Sequence, residues 1–253
     1  LCDRRQRQMC IRDRSGDPYP RKIQDCLDSW KKHLPSYEII LWDTKRFNIH
    51  EVPWVEQAFN TKKYAFAADY IRLYALYHHG GIYLDSDVEI LKSLDNFLEL
   101  PYFVGAETSG TIEAAILGAE KGCDWIKCCL DYYEGRNFIR EDGSYDIRML
   151  PEILNETILR LKPVINMPSG SNIDDLKKKD LGEAVYVLPK EYFSPKVFDS
   201  REVFLTPETH AIHHYQNSWF SHKAFAYYRT RTLFIKIFGY KAVRSLEKML
   251  LKR

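Results

Sequence analysis

No stretch of this 253-residue chain approaches 18 consecutive apolar residues, so no membrane-spanning helix is expected. The first residues, LCDRRQRQMCIRDRSGD, contain no apolar h-region and do not read as a secretory signal. No internal repeat or low-complexity tract interrupts the chain. Its cysteines, Cys2, Cys10, Cys26, Cys123, Cys128 and Cys129, form no C-x-x-C pair and no zinc-type spacing. Those beyond the leader are expected as buried, reduced thiols in a cytosolic protein. A large excess of one charge is missing too: the formal net charge is +2, and the body of the chain is not basic. That argues against a nucleic-acid partner.

What is present suffices for one sizeable domain with a full core, since 45% of residues are apolar and 14% aromatic. The small net charge hides a local imbalance. From Lys223 onward nine Lys or Arg face the single acid Glu247, among Tyr, Phe, Leu and Ile at roughly helical spacing. Residues 223–253 therefore read as a basic amphipathic helix. It either lies on an anionic membrane surface or packs on the domain with a solvated basic face.

The most informative segment is YAFAADYIRLYALYHHGGIYLDSDVE, Tyr64 to Glu89. Tyr64 to Tyr77 holds no Pro or Gly and predicts a helix, with Asp69 and Arg72 three apart on one face. They form either a surface ion pair or part of a site. Gly80-Gly81 ends the helix, and Ile82-Tyr83-Leu84 predicts a buried strand. Asp85 and Asp87 follow, where ligands gather beyond the carboxyl ends of strands in open α/β sheets. If the extended geometry persists, both carboxylates point the same way. Side by side they repel unless a cation joins them, and oxygen ligands suit Mg²⁺ or Mn²⁺. This is the chain's only Asp-x-Asp.

Ala68-Asp69-x-x-Arg72, then Leu76, then Gly80-Gly81-x-Tyr83-x-Asp85-x-Asp87 resembles the sugar-nucleotide-binding core of glycosyltransferase family 32. That group includes bacterial capsular polysaccharide and lipopolysaccharide transferases, yeast initiating mannosyltransferases and the large clostridial glucosylating toxins. Ala68 stands where the family usually has Ser. Downstream, His210-Ala-Ile-His213-His214, then Ser218-Trp219, is similar to the family's closing motif. Arg21 to Trp42 and Val187 to Pro195 resemble further family segments, so the likeness runs over roughly residues 18–222. It implies a GT-A type, Rossmann-like α/β fold with a mixed sheet. It also implies Asp85, Asp87 and His213 around Mn²⁺ or Mg²⁺, Ser218 and Trp219 near the donor diphosphate, and Asp69 and Arg72 on the donor sugar and ribose. Chemistry alone leaves His213 and His214 both open as the ligand, because strand neighbours face opposite ways; the family's spacing selects His213.

The expected activity is metal-dependent transfer of a sugar from a UDP or GDP donor to a glycan or lipid-linked acceptor. Anomeric configuration is expected to be retained, in the cytoplasm or peripherally on the membrane. Residues 17–222 would form the transferase domain, with a helical insertion near 112–162. Residues 1–16 depart from the family's apolar first strand. They read as a non-native leader joined at Ser15-Gly16, which would leave the sheet without that strand. Two other readings remain. Asp85-Ser-Asp87 also matches haloacid-dehalogenase-like phosphatases, with Asp85 as nucleophile, Asp87 as general acid and Asp174-Asp175 as the acidic pair. The other is a protein that binds sugar nucleotides without turning them over. Glu107 and Glu113 lie near the expected acceptor side with no assigned role.

Overall fold

A computed structural model describes residues 6–9, 19–108, 110–197, 201–215, 222–239 and 243. In chain order the elements are β1 (Gln6–Met9), α1 (Arg21–His33), β2 (Glu38–Leu41), α2 (Pro53–Asn60), α3 (Tyr64–His79), β3 (Gly81–Leu84) and β4 (Val88–Ile90). They continue with β5 (Tyr102–Ala106), β6 (Ile112–Ala119), α4 (Asp124–Asp131), α5 (Leu150–Leu161), β7 (Val164–Asn166) and α6 (Ile173–Lys177). Last come β8 (Val185–Val187), β9 (Ala211–His213) and α7 (His222–Phe238).

The main sheet is mixed, in the order β2-β1-β3-β6-β5. Strand alternation sends its side chains to two cores. Tyr83, Tyr102, Val104 and Leu117 join the cluster built with α2, α3, α4 and α5. Ile82, Leu84, Phe103 and Ile116 join the opposite cluster, which includes Trp30 of α1 and Val88 of β4. The result is a mixed α/β fold with apolar layers on both faces of the sheet, which is why its central strands read as continuous apolar runs.

Two expectations are corrected. The sheet does not lack a strand at its amino-terminal position: Gln6–Met9 lies between β2 and β3 and runs parallel to both. Strand pairing uses backbone donors and acceptors, so the slot between two parallel neighbours can be filled without apolar alternation. The region near 112–162 is not wholly helical either. Ile112–Ala119 is the eight-residue strand β6, buried throughout and antiparallel to β3 and β5, and only α4 and α5 are helices. Its Ala-rich sequence favours a helix locally, but burial between two strands overrides propensity.

Close packing explains a glycine inside β6. A Cβ at Gly118 would lie 2.0 Å from Cε1 of the Phe103 ring. Gly118→Ala is therefore expected to destabilise the fold by about 1–3 kcal/mol, through displacement of that ring. A thermal melt checks this, and an unchanged Tm would contradict it.

Candidate active site

Helix α3 forms as expected and runs two residues further, to His79, ending where Gly80 adopts φ +69° and its amide returns to the Leu76 carbonyl at 2.8 Å. On its inner face Arg72 meets the Asp69 carboxylate at 3.0 Å and Asp85 at 3.5 Å. It also donates to the Ala114 carbonyl at 2.8 Å, and its guanidinium lies 4.7 Å from the centre of the Tyr83 ring. Tyr83 in turn donates to Asp85 Oδ1 at 2.6 Å. A surface ion pair is excluded, because the Arg72 and Asp69 side chains are only 7% and 13% exposed. Burial pushes the Asp69 carboxyl up to about 7, against the pull of Arg72 and helped by the nearby Asp85. Asp85 is raised for the same first reason, with Arg72 opposing and Asp87 adding to it.

Asp85 and Asp87 are brought together differently from the extended geometry anticipated. The strand stops at Leu84, and the next three residues turn, with the Val88 amide donating to the Asp85 carbonyl at 3.0 Å. β4 then pairs antiparallel with β9, setting Val88 opposite His213. His213 Nε2 lies 3.7 Å from Asp87 Oδ1, and one ligand atom from each of Asp85, Asp87 and His213 falls within 4.8 Å of the others. His214 takes the other face, its Nε2 bound to Glu89 Oε2 at 2.7 Å. Of the two histidines left open by chemistry, His213 is the one beside the acids. Ser218 and Trp219 lie outside the described residues.

Glu113, at the start of β6, had no role in the sequence reading. It is 3% exposed and fully engaged. Its Oε1 accepts from the Ala115 amide at 2.9 Å. Its Oε2 takes His213 Nδ1 at 3.1 Å, the Ser194 hydroxyl, and the Tyr215 hydroxyl at 3.4 Å. Burial alone would raise this carboxyl; His213, by charge and hydrogen bond, with Ser194 and the Ala115 amide, holds it down at about 2. Burial would likewise lower His213, yet Glu113 first and then Asp87 and Asp85 push it up to about 9. The only sequence signal was an acid inside an otherwise apolar strand. Glu107, by contrast, accepts from the neighbouring Thr111 hydroxyl.

The donor set fits a hard divalent cation: two carboxylates and one imidazole whose far nitrogen is already tied to an acid. The phosphatase reading loses its acidic pair. Asp175 caps the five-residue helix α6, accepting from the Asn172 amide at 3.1 Å.

Residues 20–104 match the family described as glycosyltransferase sugar-binding region containing DXD motif. Over that segment, about a third of its length, the chain is similar to this family. It is 34% identical over 92 residues to inositol phosphoceramide mannosyltransferase 3 of Schizosaccharomyces pombe, covering 35% of this chain and 26% of that protein. It is 33% identical over 109 residues to mannosyl phosphorylinositol ceramide synthase SUR1 of Saccharomyces cerevisiae, covering 39% and 28%. The matches thus span about a quarter of the length of these curated relatives. Among solved structures, the PaToxG glycosyltransferase aligns with a TM-score of 0.45 at 18% identity, over 62% of this chain and 67% of that one.

Proposed function

We propose that this chain is a GT-A type, divalent-cation-dependent glycosyltransferase that moves a hexose, with retention, from a nucleoside diphosphate to a hydroxyl acceptor. The observation that carries the reading is the convergence of Asp85, Asp87 and His213 within 4.8 Å, inside a chain whose residues 20–104 match a sugar-binding DXD family. Asp85, Asp87 and His213 would hold Mn²⁺ or Mg²⁺. When bound, the cation supplies Lewis-acid stabilisation of the diphosphate leaving group. Asp69 and Arg72, fixed to each other and to β6, would orient the donor sugar, and Ser218 and Trp219 would donate to the phosphates. No side chain is assigned as a covalent nucleophile. The bond from the anomeric carbon to phosphate oxygen breaks as the acceptor oxygen bonds on the same face, and the acceptor proton passes to the departing phosphate.

The names of the yeast relatives point to mannose as the sugar and to an acceptor with a lipid part. The basic carboxyl-terminal segment would suit such an acceptor by resting on an anionic membrane, since α7 exposes Tyr227, Leu233, Phe234, Ile237 and Phe238. No helix among the described residues is long and apolar enough to cross a membrane.

Donor hydrolysis tests the reading. UDP- and GDP-sugars are incubated with the chain, with Mn²⁺ or with EDTA. Metal-dependent release of one nucleotide, from one base, is expected. Release that EDTA leaves unchanged would refute the metal assignment, and an inverted anomer in the NMR spectrum of a glycosylated product would refute retention.

A further inference from the structure

Residues 195–197 pair with residues 202–204 beside the end of β9. Val197 and Phe204 donate to the carbonyls of Glu202 and Pro195 at 2.8 and 3.1 Å, and Lys196 bridges to Val203. Two cations meet at one point. Lys196 Nζ lies 3.0 Å from the His214 carbonyl oxygen, and Arg201 Nη1 reaches the same oxygen at 3.4 Å and the Tyr215 carbonyl at 3.0 Å. Both Arg201 and Tyr215 hold positive φ, +61° and +52°, so strained backbone is kept on each side of this contact. A third cation, Lys22 of α1, pairs with Glu89 at 3.4 Å, and Glu89 is the partner of His214.

These cations are gathered one residue along the chain from His213. Lys196 is half-buried and, among the described residues, ion-paired with no carboxylate. Burial, then Arg201 and Lys22, lower its pKa, with the nearby Asp87 carboxylate opposing them. An ammonium has three protons to donate; the His214 carbonyl takes one at 3.0 Å, and His214 Nδ1 lies 3.4 Å from the same nitrogen. Like charges crowded at a partly desolvated point cost free energy that an arriving anion removes. Outside this cluster, Val203, Phe204 and Leu205 are exposed.

We propose that Lys196, assisted by Arg201, is a phosphate-binding residue beside the cation site. The phosphate belongs either to the donor diphosphate or to a phosphate-bearing acceptor. The proposal rests on the glycosyltransferase reading and adds to it a contact that does not pass through the metal.

Isothermal titration of the full chain separates the two sources. In the first arm, UDP and GDP are titrated into the Mn²⁺-loaded chain. In the second, inorganic phosphate is titrated into the chain already saturated with Mn²⁺ and the nucleotide that binds. Lys196→Ala is expected to weaken one arm by about tenfold or more, the scale of a charge-assisted hydrogen bond to phosphate. Mn²⁺ affinity alone, read by EPR, is expected to stay unchanged. Lys196→Gln keeps a donor for the His214 carbonyl but removes the charge. It should show the same loss even if the alanine variant fails to fold, and Lys196→Arg should retain binding. Loss in the first arm assigns the donor and loss in the second the acceptor. Wild-type affinity in both arms for Lys196→Gln would overturn the proposal and leave the transferase reading standing. A wild-type chain that binds neither nucleotide with Mn²⁺ would instead overturn that reading, and the phosphate site with it.

Discussion

Asp87→Ala is expected to lower donor turnover by about a thousandfold or more. The loss of a Lewis acid at a departing diphosphate is worth several kcal/mol, and each 1.4 kcal/mol is a factor of about ten. Asp85→Ala should lose as much activity and stability besides. Asp85 is the acceptor of the Tyr83 hydroxyl at 2.6 Å and the second carboxylate on Arg72 at 3.5 Å. Without it, a 7% exposed guanidinium loses one of the two carboxylates beside it and keeps Asp69 at 3.0 Å, and breaking a buried pair from one side is costly. Kinetics and thermal melts on both variants separate the roles. The expected pattern is equal loss of turnover, with the lower Tm in Asp85→Ala. More than a tenth of wild-type turnover in Asp87→Ala would sink the metal assignment.

The sequence carried the parts of this site that local rules encode. A helix free of Gly and Pro, its Gly80 terminator and the short apolar strand were all readable from Tyr64 to Leu84, because each depends on neighbours within a few residues. That Asp85 and Asp87 share a site was also readable, although the reason is a turn and not strand alternation. His213 was separable from His214 only by resemblance, since its partner at register, Val88, lies far away in the chain. Two features could not be read at all. The strand Gln6–Met9 is defined by backbone pairing to β2 and β3, and its polar sequence gave no sign of it. Glu113 is 100 residues from His213 and meets it only because β6 pairs with β3 while β9 pairs with β4. Contacts set by sheet order leave no periodicity in the chain.

Glu113 is where that unreadable contact should have its largest effect. With His213 Nδ1 tied to its carboxylate at 3.1 Å, the imidazole is held with Nε2 toward Asp87. Removing the partner of a metal-binding histidine typically weakens metal affinity by about 10–100-fold. Glu113→Ala is expected to fall in that range by EPR of free Mn²⁺. Glu113→Gln should lose less, because its amide oxygen can still accept from Nδ1–H. The metal-free chain should report the same pair through pH. His213 is raised from 6.5 to about 9, so its contribution to stability is complete below 6.5 and lost as pH climbs through 9. Glu113 is lowered from 4.5 to about 2, so its contribution is complete above 4.5 and lost as pH falls toward 2. Both hold between pH 4.5 and 6.5. In EDTA, the Tm gap between wild type and Glu113→Gln should be widest in that window and narrow on the alkaline side as His213 loses its proton. Mn²⁺ should reverse the alkaline trend, because the ion takes the place of that proton and needs the neutral imidazole. A gap that is flat with pH in EDTA would mean that Glu113 supports β6 and the Ser194 loop without setting the charge on His213.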